Sequence, residues 1–121
     1  MKPLHSSEIT KFLERFDDFK ESEIKELKIV SSTEIVLLLT AQDRARAFDW
    51  VTVELNFSGV SDAKLIDESK LAYLDTSDGL TLLKEGDSFA FALGHYRTII
   101  SLKDAQLYIV SNSIKYSEGT F

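Results

Sequence analysis

The spacing of apolar residues changes once along this chain, near Ser22, and that change limits the folds open to it. Before it, Ile9, Phe12, Leu13 and Phe16 recur at the i, i+3, i+4, i+7 spacing of one helical face, and Phe19 extends the stripe. Ser6 or Ser7 is placed to act as N-cap and Glu8 falls in the first turn, so the spacing predicts a helix over about residues 6–19. Lys11, Glu14, Arg15, Asp17 and Asp18 lie between the apolar positions and are expected to face water. Phenylalanines at helical spacing are read as core.

After the change the period is 2. In residues 24–30, Leu27 and Ile29 alternate with Glu26 and Lys28, the pattern of a half-buried strand. After a polar break at 31–34, residues 35–40 are apolar on both faces, which predicts a central strand covered on two sides and paired with the first in a hairpin. The helix is a candidate cover for one face of the sheet. Next, residues 48–57 place Val51, Val53, Leu55 and Phe57 on one face and Phe48, Trp50, Thr52 and Glu54 on the other. Residues 63–66 read as a short strand, and 71–74 read equally as a helical turn or an edge strand.

Asp78 and Gly79 open a second hairpin, 80–83 and 88–93, in which Gly86 suits the positive-φ position of the turn. The runs 98–102 and 106–116 complete the series. The expected fold is α+β, an N-terminal helix followed over residues 22–118 by a mainly antiparallel β-sheet or small β-sandwich of about seven or eight strands. Residues 1–121 are expected to form one domain.

Charge and composition narrow the function. Fourteen Lys and Arg against twenty Asp and Glu leave a net charge of -6, the wrong sign for a phosphate-backbone binder, so no nucleic-acid partner is expected. The absence of cysteine removes disulfides, a thiolate nucleophile and sulfur-based zinc sites. The densest apolar run, 35–39, is far short of the ~20 residues a spanning helix needs. The N-terminus carries Lys2 without a following apolar stretch, so a cytoplasmic location is expected.

No catalytic constellation stands out. The histidines are His5 and His95. His95 lies with Gly94, Tyr96 and Arg97 in an expected loop, where His95, Tyr96 and Arg97 would border a small-ligand or enzymatic pocket, with Arg97 pairing an anionic group. No Gly-x-Ser-x-Gly elbow accompanies them. The aspartates, Asp43 among them, are assigned to turns and polar faces. Asp75 and Asp78 only partly echo a calcium loop, since Gly86 stands where its terminal Glu belongs. Scattered glycines form no phosphate cradle. No catalytic residue, metal or cofactor is expected.

The segment 44–50 is more informative, because it sets Arg44 and Arg46 beside Phe48 and Trp50, residue types that dominate binding hot spots. Either Trp50 fills a second core layer, or the four residues form a partner-binding patch. The run 108–118, with Tyr108, Ile109, Val110, Ile114 and Tyr116, and the run 54–60, with Leu55, Phe57 and Gly59, resemble the closing strands of small bacterial β-rich cytoplasmic domains, immunity proteins against polymorphic toxins among them. The resemblance implies a non-enzymatic acidic protein that binds another protein. Its acidity would suit an inhibitor covering a basic nuclease site. A homo-oligomer pairing exposed strand edges is a further alternative.

Overall fold

The N-terminal apolar stripe folds as three short pieces instead of one helix. In the computed structural model, which describes residues 1–120, a 3-10 turn at Ser6–Glu8 leads into α1 (Ile9–Arg15), and a second tight turn follows at Asp17–Phe19. His5, not Ser6 or Ser7, occupies the N-cap, and its N–H donates to Glu8 Oε1 at 3.4 Å. The helix stops at Arg15 because the backbone turns left-handed at Asp17, Asp18 and Phe19, with φ of 53, 56 and 58°. Aspartate tolerates that region better than most residues. The turn carries Phe19 into the core, where its ring stacks on Phe16 at 5.0 Å and is fully buried. Phe12 completes the cluster, edge-on to Phe16 at 5.2 Å and 4.8 Å from Tyr116.

Among the described residues there are nine strands, β1 (Lys2–Pro3) ahead of the helix and eight after the change of period: β2 (Glu23–Ser31), β3 (Glu34–Asp43), β4 (Asp49–Ser58), β5 (Asp62–Lys64), β6 (Leu80–Glu85), β7 (Ser88–Leu93), β8 (Tyr108–Ser111) and β9 (Ser113–Thr120). They form two antiparallel sheets, β1-β9-β4-β3-β2 and β5-β8-β7-β6. The alternation explains the packing. Leu37, Leu39, Val53, Leu55 and Phe57 of the first sheet meet Leu82, Phe91 and Ile109 of the second in one buried cluster, with the rings of Phe57 and Phe91 5.4 Å apart. The α1 rings belong to the same cluster. The architecture is therefore the α+β sandwich arrangement.

Several local expectations are corrected. The run 98–102 is a helical turn, α2 (Ile99–Leu102), whose N-cap Thr98 side chain accepts the Ser101 N–H. It covers the outer face of the second sheet, where the small side chains of Ala90 and Ala92 let Leu102 and Ala105 approach. The run 106–116 is two strands in different sheets. Its break is Asn112, whose N–H donates to the carbonyls of Ser58 and Gly59 at 3.0 and 3.2 Å, so the chain changes sheets within one residue. Of the two readings of residues 71–74 the helical turn is the one found, in the 3-10 turn Glu68–Tyr73 and its C-cap. β3 is fully packed on one face, where Ile35, Leu37 and Leu39 are buried, while on the other Thr40 is buried and Val36 and Leu38 are partly exposed. At the edge, Ile29 and Val30 of β2 stand in solvent.

The hairpin expectations hold. β2 pairs with β3 and β6 pairs with β7, and Gly86 has φ 58° in the second turn. Among the described residues no helix is long and apolar enough to cross a membrane.

Candidate functional site

Asp43 was assigned to a polar turn, yet its side chain is fully buried at the end of β3. An unpaired buried carboxylate is costly, and Arg15 resolves it. The guanidinium donates twice to Asp43, Nε to Oδ1 at 2.8 Å and Nη2 to Oδ2 at 2.6 Å. Arg15 Nη2 also meets Glu118 of β9, and its charged group lies 5.0 Å over the Phe16 ring. Arg15 is thus turned inward, against the expectation that it faces water.

Hydrogen bonding from Arg15 holds the Asp43 carboxyl below the usual carboxylate range, against the opposing effect of burial. The reciprocal bond from Asp43 raises Arg15 above its already high ordinary value.

This pair fixes the connection between β3 and β4. Asp43 Oδ1 accepts the Ala45 N–H at 2.9 Å, which caps a 3-10 turn at Arg44–Arg46. Ala47 and Phe48 then take left-handed φ values of 55 and 65°, a conformation costly for residues bearing a Cβ. The Phe48 N–H donates to Asp43 O at 2.9 Å and closes the loop. The outcome is display: Phe48 is 57% and Trp50 43% exposed, with Arg44 and Arg46 beside them in solvent.

Of the two alternatives for Trp50, a second core layer is the one the structure does not show, since Trp50 stands 43% exposed on the outer face of the first sheet. It lies opposite Gln42 in the β3–β4 register, and the Thr40–Thr52 and Leu38–Glu54 pairs follow along the same strands. Arg44 faces Asp17 at 3.7 Å and Arg46 approaches Asp43 at 3.8 Å. The four sequence-predicted residues therefore share one corner, braced from below by Asp43, Arg15 and Glu118. Sequence reasoning missed that brace. The available signal was an aspartate two residues after Ala41, at a position in phase with buried Leu39 and Ala41.

The other predicted group is dispersed. His95 and Arg97 are exposed after β7, while Tyr96 is half-buried on the α2 side, its N–H donating to Thr81 Oγ1 at 3.1 Å. The His95 side chain makes no hydrogen bond or ion pair among the described residues. Among the described residues no three His, Cys, Asp or Glu side chains gather as a metal site.

Two clefts are worth distinguishing. One on the outer face of the first sheet, between Glu26, Lys28, Val36, Leu38 and Glu54, has a volume of about 60 Å³, too small for an organic ligand. The other, about 720 Å³, lies between β5 and the Glu68–Tyr73 turn and was not foreseen. No family model, curated protein or solved structure matches the chain.

Proposed function

We propose that this chain is a non-enzymatic, cytoplasmic protein-binding module of immunity type, and that Arg44, Arg46, Phe48 and Trp50 form its contact surface. One observation carries the reading: two large aromatic side chains close together in the chain stand in solvent, Phe48 on a loop whose backbone is strained and whose base is pinned by the Arg15–Asp43 pair, and Trp50 at the start of the strand that follows it. Aromatic anchors presented in a fixed conformation bind with little further loss of entropy. Strained loop residues persist where the surrounding structure over-determines them, as the Arg15–Asp43 pair does here.

Charge supports a basic partner. The chain carries -6, and the two arginines of the corner are partly neutralised by Asp17 and Asp43. Acidic surroundings would steer a cationic protein toward the aromatic anchors, a rate effect weakened by salt.

The test is retention of a protein partner from cell extract on the immobilised full chain, at low and high ionic strength. The double variant Phe48→Ser/Trp50→Ser is expected to lose the partner that the native chain retains, with its circular dichroism unchanged. Equal retention of the same protein by both would overturn the reading.

A further inference from the structure

We infer that the cleft between β5 and the Glu68–Tyr73 turn is a binding site for an elongated amphipathic anion, a carboxylate or sulfonate carrying an aliphatic tail. Its volume, about 720 Å³, falls within the ~300–1,000 Å³ range of small-molecule sites. Two kinds of residue line it. Leu65, Ile66 and Leu74 form an apolar floor, each half-buried against the main core. Tyr73 stands at its rim with 86% of its surface in water, an unusual position for a large aromatic side chain.

The polar groups select the sign of the ligand. Lys64 and Lys70 both border the cleft, and neither is held in an ion pair among the described residues. The carboxylate that also lines it, Asp67, is engaged by its own turn, accepting the Ser69 N–H at 3.0 Å and the Ser69 hydroxyl at 2.9 Å. On a chain of net charge -6, two exposed ammonium groups beside an apolar floor, Lys70 sensing the Asp67 carboxylate but neither lysine locked in an ion pair among the described residues, attract an anionic head and leave its tail to cover Leu65, Ile66 and Leu74.

Leu65 also borders a second cleft of about 380 Å³ that runs toward Ile29 and Ile35, which gives a longer tail somewhere to continue. None of these residues belongs to the 44–50 corner, so this site and the protein-binding reading stand or fall separately.

The experiment is a heteronuclear NMR titration of the full chain with sodium octanoate, 1-octanol and octylammonium chloride. Octanoate is expected to shift the amides of 64–74 and Gln106 saturably, octanol to do so more weakly and octylammonium not at all, with Trp50 unmoved. The variant Lys64→Glu/Lys70→Glu, altered only at exposed side chains, is expected to lose affinity for octanoate by about tenfold or more while keeping its amide spectrum elsewhere. Equal binding of the three probes, shifts scattered outside the cleft, or undiminished binding by the charge-reversed variant would overturn the assignment.

Discussion

Asp43 does two things at once: it satisfies Arg15 and it caps the turn that displays Phe48. Replacing it by Asn removes the charge that Arg15 needs and leaves a cation partly enclosed by Glu118 and Phe16. Asp43→Asn is expected to lower unfolding free energy by about 3 kcal/mol at neutral pH, measured by urea denaturation. The pH dependence has a definite sign. Because the folded carboxyl titrates below its unfolded value, its contribution is complete above about pH 4 and is lost as the pH falls through the folded pKa. The stability gap between native chain and Asp43→Asn should therefore narrow on acidification below about pH 4, and a constant gap would count against the pairing.

Phe48 makes the opposite case. Its φ of 65° favours glycine and its ring is mostly in water, so Phe48→Gly is expected to leave stability unchanged or raise it by up to about 1 kcal/mol while removing one binding anchor. Thermal denaturation alongside partner retention reads both effects.

At the scale of elements, the turn that follows α1 depends on a second segment of chain. Glu21 N–H donates to Thr76 O at 3.1 Å, Thr76 Oγ1 donates to Ser22 O at 2.6 Å, and Gly79 has φ 78° with its Cα against the Asp18 carbonyl. A side chain at 79 would overlap that backbone oxygen, which cannot move without unseating the left-handed turn. Gly79→Ala is expected to cost at least about 2 kcal/mol, visible as a lowered urea midpoint. By contrast Thr98→Ala removes one half of the capping box of a four-residue helix, leaving the Ser101 and Glu85 side chains on its first N–H groups, and should cost about 1 kcal/mol.

The elements also show how far periodicity reaches. Strands β3, β4, β6 and β7 follow the alternation of the sequence because one of their faces packs into the inter-sheet core. The break at Asn112 escapes it: buried Ile109 and Ile114 are five residues apart and so lie in opposite phases of the alternation, but Tyr108, Ile109 and Val110 are apolar in both phases and hide the slip, while the Asn112 N–H bonds to Ser58 and Gly59 are made only in the fold. The end of α1 at Arg15 escapes too, since Phe19 remains on the helical stripe even though the backbone reaches it by another route.

For the whole molecule, the two sheets and the α1 rings enclose one main cluster, with a smaller one beneath α2. Trp50 lies in neither cluster. Its fluorescence in the free chain is expected to be red-shifted and open to acrylamide quenching, and to shift to the blue when partner binds. A blue-shifted, protected signal in the free protein would contradict its 43% exposure.

The sequence by itself determined the α+β class, the two hairpins and the inward face of strands such as β3 and β4, and it singled out Arg44, Arg46, Phe48 and Trp50 without deciding whether Trp50 is buried or exposed, because these depend on local spacing and on side-chain type. Only the tertiary structure decided that Arg15 turns inward to a buried Asp43, residues 28 apart in the chain, and that Lys64 and Lys70 border a common cleft with Tyr73. Such choices are set by which surfaces the two sheets bring together: the desolvation of a carboxylate and the shape of a cleft belong to neighbours in space, and no period along the chain encodes them.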